Sequence, residues 1–170
     1  NLSSITDSRN ITTQYSYDAL NRITHITYPN SSSENVQYIY DDATAGHYGI
    51  GRLSQIIDQS GSTVYEYNYL GLIASETNTV NGQSLTTTYN YNDAGQLTEI
   101  GYSNNLKAHY TYDAEGRVSG ISAEFQDSST QPLATQIEYL PFGPMTGFNF
   151  GNAIQTAFNY DQNYLPISFP

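Results

Sequence analysis

One short sequence motif recurs along this chain and constrains its fold more than any other feature. Two aromatic residues separated by one residue are followed by an acidic or amide residue, a turn, and a strand of apolar and polar residues. The seven copies occupy residues 15–24, 38–41 continued at 51–54, 65–74, 89–98, 110–119, 137–143 and 158–161. The second aromatics lie at 17, 40, 67, 91, 112, 139 and 160, a period of 21 to 27 residues. A period in this range is typical of repeat architectures, so we predict a single array of about seven repeats over residues 1–170.

Each copy of the motif predicts one β-hairpin. Side chains alternate along a strand, which places the two tyrosines of a copy on the same face. The Asp or Asn that follows can bond a backbone N–H two residues on, and a Gly then supplies the positive φ that closes the turn. The strand after the first turn alternates less regularly, because Ile23 and Ile26 are three residues apart. We predict an all-β fold of about fifteen short strands, a repeat array of antiparallel β-hairpins that forms a curved or spiral sheet without α-helices.

The tyrosine pairs have two interpretations. They can pack repeat against repeat, or they can form a stacking platform for a sugar or a base. Packing is favoured because the positions recur in every repeat, whereas ligand sites are few. The positions predicted to be structural are Tyr15, Tyr17, Asp18, Arg22, Tyr38, Tyr40, Asp41, Arg52, Tyr65, Tyr67, Gly71, Tyr89, Tyr91, Gly95, Tyr110, Tyr112, Asp113, Gly116, Arg117, Tyr139, Gly143, Tyr160 and Asp161.

The charged residues at repeat positions also favour structural roles. Arg22, Arg52 and Arg117 all follow the turn, which favours pairing with the Asp of a neighbouring repeat or stacking on its Tyr. The turn Asp and Asn residues could be calcium ligands, but no Asp-x-Asp-x-Asp-Gly loop is present and turn capping is the better account. We therefore expect no metal and no cofactor.

Composition argues against several functions. The 16 acidic residues against 5 basic ones disfavour nucleic-acid binding, and no apolar run approaches the ~18 residues that span a bilayer. Seventeen Tyr and six Phe argue against disorder, and the absence of Cys excludes disulfides. The three histidines at 25, 47 and 109 share no ligand spacing and no nucleophile is paired with a base, so we expect no enzymatic activity.

Two segments interrupt the regular spacing of the repeats. Residues 42–50 form an insertion in the turn of the second copy, and residues 126–132 form a long polar connection. Both are predicted to be surface loops, which is where a variable contact would be placed. The sequence does not indicate what they bind.

The pattern Tyr-x-Tyr-Asp-x-x-Gly-Arg-Leu-Thr resembles the signature of the YD-repeat, or Rhs-repeat, family over essentially the whole chain. Residues 139–152 also resemble the Pro-Phe-Gly-Pro variant of bacterial members. The resemblance implies a long spiral strip of β-hairpins that winds into a hollow shell. In bacterial toxin complexes and polymorphic toxins such a shell encloses a C-terminal effector, and in animal teneurins a related shell serves cell adhesion.

We therefore expect a non-catalytic structural segment of a secreted or cell-surface Rhs-type protein, and we expect the chain to be a fragment of it. The expected partners are other repeats and domains of the parent chain, an enclosed toxin domain, and copies of the fragment paired edge to edge. Bacterial members usually end in a core region with an aspartate-dependent self-cleavage site, and no segment here resembles it. The alternative is a cell-surface binding module that contacts carbohydrate or a protein receptor.

Overall fold

The computed structural model describes residues 1–168, which form sixteen β-strands. The strands are β1 Ser4–Thr6, β2 Thr12–Tyr17, β3 Ile23–Thr27, β4 Val36–Asp42, β5 Gly49–Asp58, β6 Gly61–Tyr67, β7 Ile73–Val80, β8 Gln83–Tyr91, β9 Leu97–Gly101, β10 Lys107–Tyr112, β11 Val118–Glu124, β12 Thr130–Tyr139, β13 Met145–Phe150, β14 Gln155–Ala157, β15 Asn159–Tyr160 and β16 Pro166–Ser168. Within the described residues the only helical turn is a 3-10 turn at Ser32–Glu34. The predicted all-β fold is confirmed.

The strands are ordered in the sheet as they are in the sequence. Strands β1 to β14 form one hydrogen-bonded sheet in chain order, and β15 pairs with β16. The pairs are antiparallel, so each connection is a hairpin rather than a crossover. The residues cluster into two compact units, Asn1–Thr87 and Thr88–Pro170. The single array over residues 1–170 and the curvature of the sheet stay predictions.

In the unit Asn1–Thr87, every hairpin of the repeat has a β-bulge opposite its second tyrosine. Tyr15 pairs with Ile26 and Tyr17 pairs with Ile23, which leaves Thr24 as the extra residue. The equivalent pairs are Tyr38 with Ile56, Tyr40 with Leu53, Tyr65 with Glu76 and Tyr67 with Ile73, and the extra residues are Ser54 and Ala74.

The same bulge recurs in the unit Thr88–Pro170. Tyr110 pairs with Ile121 and Tyr112 pairs with Val118, which leaves Ser119 as the extra residue. The equivalent pairs are Tyr89 with Ile100, Tyr91 with Leu97, Tyr139 with Met145 and Tyr160 with Pro166, and the extra residues are Thr98, Thr146 and Ile167.

The bulge explains the irregular alternation of the strands after the turns. One extra residue shifts the alternation, so residues three apart, such as Ile23 and Ile26, lie on the same face. Ile26 and Ile23 pair with Tyr15 and Tyr17, so this is also the face of the sheet on which the two tyrosines lie. The extra residue also makes hydrogen bonds of its own: Ser54 Oγ donates to the Ile39 carbonyl at 3.0 Å, and Thr98 Oγ1 donates to the Asn90 carbonyl at 3.2 Å.

The sheet has few fully buried residues. Among residues 1–167, whose burial is described, only Gly49, Ser54 and Ala123 are buried. The tyrosines and the aliphatic residues opposite them are mostly half-buried. Ladder hydrogen bonds and contacts between neighbouring strands therefore hold each unit together.

Both predicted loops are shorter in the structure than the sequence suggested. Strand β4 extends to Asp42, which pairs with Gly49, so the first loop is 43–48. Strand β11 ends at Glu124 and β12 begins at Thr130, so the second loop is 125–129. Pro132 lies within β12 beside a register shift, where its missing N–H is tolerated.

Candidate functional site

In five of the seven copies the turn is built around one carboxylate or amide oxygen. Asp18 Oδ1 accepts the backbone N–H groups of Leu20 and Arg22, both at 2.9 Å. The same pair of bonds is made by Asn68, Asn92, Asp113 and Asp161. These bonds to the charged form lower the pKa of Asp18, with the Arg22 N–H as the largest cause.

The fourth residue of the turn usually has a positive φ. The angle is 62° at Asn21, 78° at Gly71, 76° at Gly95 and 81° at Gly116. Gly143 was predicted to have the same role, and that prediction is wrong. In the sixth copy Phe142 has a φ of 55° instead, and Gly143 packs closely against Tyr164, which leaves no room for a Cβ at Gly143.

The arginine that follows the turn connects its own repeat to the next one. Arg22 Nε donates to Asp18 Oδ2 at 2.6 Å, and Arg22 Nη1 donates to Asp41 Oδ1 of the next repeat at 3.1 Å. Its guanidinium carbon also lies 4.3 Å from the centre of the Tyr40 ring. Arg22 thereby lowers the pKa of Asp41, and the two carboxylates raise the pKa of Arg22.

The other two phased arginines make related contacts. Arg117 Nε donates to Asp113 Oδ2 at 2.8 Å, and its guanidinium lies 4.7 Å from the ring centre of Tyr139. Arg52 lies 5.5 Å from the ring centre of Tyr67 and donates to the Tyr48 carbonyl at 3.0 Å. At Tyr40, Tyr67 and Tyr139 the neighbour of the ring is thus a guanidinium.

Gln96 occupies the arginine position in the fourth copy and reaches the next repeat without a charge. Its Nε2 donates to the Gly116 carbonyl at 2.9 Å, while its Oε1 accepts from Asn92 Nδ2 at 2.7 Å. In this copy the contact with the next repeat is therefore made without a positive charge.

The second tyrosine of six repeats makes a contact in the opposite direction along the chain. Tyr112 Oη donates to the Leu97 carbonyl at 2.6 Å, and Leu97 is the first strand residue after the preceding turn. The equivalent bonds run from Tyr17 to Leu2, Tyr40 to Ile23, Tyr67 to Leu53, Tyr139 to Val118 and Tyr160 to Met145, at 2.6 to 2.9 Å. Burial raises the pKa of the Tyr40, Tyr67, Tyr91 and Tyr112 hydroxyls. We call the six tyrosines that make these bonds to preceding carbonyls, together with Arg22, Arg52, Gln96 and Arg117, the inter-repeat seam.

The insertion in the second repeat docks on the third through His47. His47 Nδ1 lies 2.6 Å from Asp42 Oδ2, and His47 Nε2 lies 3.4 Å from Glu66 Oε1. The backbone N–H of Tyr67 donates to the His47 carbonyl at 3.0 Å. The sequence analysis missed this contact; an acidic residue and a histidine within one inserted loop were the available signal.

A second polar cluster spans strands β9, β10 and β11. His109 Nε2 lies 2.9 Å from Glu124 Oε2, and His109 Nδ1 lies 3.6 Å from Glu99 Oε2. Lys107 Nζ lies 3.6 Å from the same Glu99 oxygen. These groups are paired across strands with one another, and within residues 1–168 no three His, Cys, Asp or Glu side chains converge as a metal site would require.

No helix in the described part of the chain has the length and apolar character needed to cross a membrane.

Phased hairpins joined by a tyrosine and an arginine define a class of structural β-repeat. The Teneurin YD-shell family model matches residues 49–166, more than half of the chain, and the RHS Repeat model matches residues 1–33. The chain therefore belongs to the YD-shell family. No curated protein matches the sequence significantly.

Solved structures of toxin complexes have the same fold. The crystal structure of TcdB2-TccC3 superposes with a TM-score of 0.84 at 15% identity over 98% of this chain. The Photorhabdus luminescens Tc holotoxin pore superposes with a TM-score of 0.82 at 16% identity over 96% of this chain. The chain spans only 10% and 9% of those two chains. At this level of sequence identity the structural similarity shows that the fold is shared.

We expect Tyr112→Phe to destabilise the protein more than Tyr110→Phe. The first change removes the bond to the Leu97 carbonyl and should cost about 1 kcal/mol of unfolding free energy. Tyr110 lies on the same strand, and the described residues give its hydroxyl no hydrogen bond. Urea denaturation of both variants measures the difference; equal losses would contradict the role of the hydroxyl.

Gly71→Ala should destabilise the protein more than Gly82→Ala. Both residues have a similar positive φ, 78° and 76°, so both variants incur the left-handed cost of about 1–2 kcal/mol. A Cβ at Gly71 would lie 2.1 Å from Arg52 Nη2, whereas a Cβ at Gly82 would have no atom within 4 Å. Gly71→Ala must therefore also displace Arg52 from Tyr67. The two variants should become similar in an Arg52→Ala background, and a difference that persists there would contradict this account.

The docking of the insertion should weaken as the pH rises through the raised pKa of His47. The Asp42 carboxylate, followed by Glu66, raises the pKa of His47, so the stabilisation is complete below the ordinary value of about 6.5 and is lost as the pH rises through the raised value. Thr44 and His47 lower the pKa of Asp42 to about 2, so its contribution is lost only as the pH falls toward that value. The unfolding free energy of the wild type minus that of His47→Gln, measured from pH 5 to 9, should fall with pH; a flat difference would contradict it.

Proposed function

We propose that this chain is a non-catalytic wall segment of a β-shell that encloses or presents a toxin or effector domain. The observation that carries the proposal is the inter-repeat seam. Its tyrosines donate to backbone carbonyls of the preceding repeat, and its arginines and Gln96 contact the next repeat. The recurring side chains are thus used to join hairpins, as a wall requires.

The absence of an enzymatic role is part of the proposal. The two histidines in polar clusters, His47 and His109, each lie between two carboxylates, and within residues 1–168 neither makes a hydrogen bond to a Ser or Thr hydroxyl. A hydrolase would need such a pair to activate a nucleophile. Any catalysis would then belong to the enclosed domain.

The proposed location is outside the cell, as a secreted or surface-attached protein. The YD-shell family and the toxin-complex fold support that location and also the main partners. These partners are neighbouring repeats and domains of the parent protein and an enclosed effector. The polar, acidic composition, with a net charge of −11, is compatible with exposure to solvent.

Electron microscopy of the full-length parent tests the proposal. We expect a closed wall around a cavity that contains density for another domain, and we expect that domain to resist protease until the shell is opened. Combined Arg22→Ala and Arg117→Ala substitutions should make the domain protease-sensitive, because they remove two links of the seam. A straight array without a cavity would contradict enclosure.

A second candidate is a receptor-binding module, and the insertion favours it. Tyr48 is 53% exposed and Ile50 is 62% exposed, which places two large apolar side chains beside the docked loop. Replacing residues 43–48 with a two-residue turn would retain the pairing of Asp42 with Gly49. Loss of binding to target cells, with the shell intact by microscopy, would favour the receptor role over enclosure alone.

A further inference from the structure

Arg117 differs from Arg22 in what the next repeat offers its guanidinium. Arg22 directs Nη1 and Nη2 to the two carboxylate oxygens of Asp41, which makes a bidentate pair. Asp41 directly follows the second tyrosine of its repeat, and in the sixth copy that place is taken by Leu140. The backbone of Leu140 makes the usual turn bonds, but its side chain has no acceptor for a guanidinium.

The outer donors of Arg117 are therefore weakly used. Its Nε donates to Asp113 at 2.8 Å, but its Nη1 lies 3.4 Å from the Leu140 carbonyl and its Nη2 lies 3.4 Å from Glu115 Oε2. Both of the longer distances exceed the length of an ordinary N–H···O bond, about 2.7–3.2 Å. The Glu115 side chain is 66% exposed, so it can move into solvent at small cost. Both Nη groups can then donate to a further carboxylate, as those of Arg22 donate to their partner.

A cleft of about 540 Å³ lies between this repeat and the next. Glu115 and Arg117 line it from the fifth copy, and Tyr139, Pro141 and Phe142 line it from the sixth. The guanidinium carbon of Arg117 lies 4.7 Å from the centre of the Tyr139 ring, and this contact fixes the cation in the wall of the cleft. The volume falls within the range of ligand sites, about 300–1,000 Å³. One cleft thus combines a positioned guanidinium with apolar side chains.

Phe142 adds an exposed aromatic ring to the cleft. The residue is fully exposed, and its φ of 55° lies in the left-handed region, where Asn and Gly are favoured. Pro141, directly before it, is also exposed. Aromatic and arginine side chains are the groups that most often contribute binding energy at protein interfaces. The cleft therefore favours a ligand that has both an acidic and an apolar side chain.

We propose that this cleft binds an acidic polypeptide segment in which an Asp or Glu lies beside an aromatic or aliphatic residue. The carboxylate of the segment accepts from both Nη groups of Arg117 and displaces Glu115. The apolar neighbour packs on Phe142. A polypeptide is the occupant because the equivalent guanidinium of the first repeat already binds an Asp side chain of a polypeptide segment, Asp41. The proposal does not depend on enclosure.

The test is an NMR titration of the full chain with the blocked peptide acetyl-Ala-Phe-Asp-Leu-Ala-amide. We expect a Kd of about 1 mM or tighter, and binding about tenfold weaker or more when Asn replaces the Asp of the peptide. Phe142→Ala should weaken binding about fivefold, because the apolar neighbour loses its aromatic contact. Leu20→Ala removes a 70% exposed side chain from the third position of the first turn, the position that Phe142 has in the sixth, and should leave the Kd unchanged.

Two substitutions in the cleft should change binding in opposite directions. Glu115→Gln removes the competing carboxylate and should tighten binding about two- to fivefold. Leu140→Asp supplies a carboxylate from within the chain, at the place that Asp41 has in the second copy, and should abolish binding. Arg9→Gln is the control, because Arg9 is an exposed arginine whose partner is Asp7 of its own turn, and its loss should leave the Kd unchanged.

Several outcomes would overturn the proposal. They are no binding of the Asp peptide at millimolar concentration, equal binding of the Asp and Asn peptides, or an unchanged Kd in Phe142→Ala. Tighter binding of 3-phenylpropanoate than of the peptide would assign the cleft to small organic acids instead. If Leu140→Asp fails to fold by circular dichroism, Glu115→Gln decides, because its side chain is exposed and its only bond is a long one. Unchanged or weaker binding in that variant would count against the site.

Discussion

A β-hairpin of about twenty residues covers too little apolar surface to be stable in isolation, so each repeat depends on its neighbours. Here that dependence is concentrated in two side chains. The tyrosine hydroxyl bonds a backbone carbonyl of the preceding repeat, and the arginine or glutamine after the turn contacts the next. The turn, the bulge and the half-buried tyrosine face all serve to place these two groups. Only three of residues 1–167 are buried, yet the sheet can in this way remain ordered.

Much of this arrangement was predictable from the sequence, because the turn chemistry is local. An Asp or Asn followed by Gly specifies the same bonds wherever it occurs, as Asp113 and Gly116 illustrate. The bulge was present in the sequence as the three-residue spacing of Ile23 and Ile26, but it looked like imperfect alternation. The acceptor of each tyrosine hydroxyl could not be predicted, because it is a backbone carbonyl and leaves no residue signature.

The failures of prediction have local physical causes. Gly143 does not take the positive φ of its counterparts; Phe142 adopts that conformation instead, and Tyr164 packs where a Cβ on Gly143 would lie. The inserted loop is shorter than predicted, because Asp42 continues the β4 ladder before the chain turns. His47 then fixes the loop through contacts to Asp42 and Glu66, which lie on different strands. Sequence spacing alone does not reveal such a contact.

The direction of the tyrosine bonds has a consequence for how the chain folds. Every acceptor lies earlier in the sequence than its tyrosine, by 14 to 21 residues. A repeat that emerges during synthesis or secretion therefore finds its acceptor already formed, and it can dock without waiting for later residues. Contacts of such short range favour rapid folding. Growth from the N-terminus would also leave one unfinished edge at a time, which limits the exposure of unpaired strands to other chains.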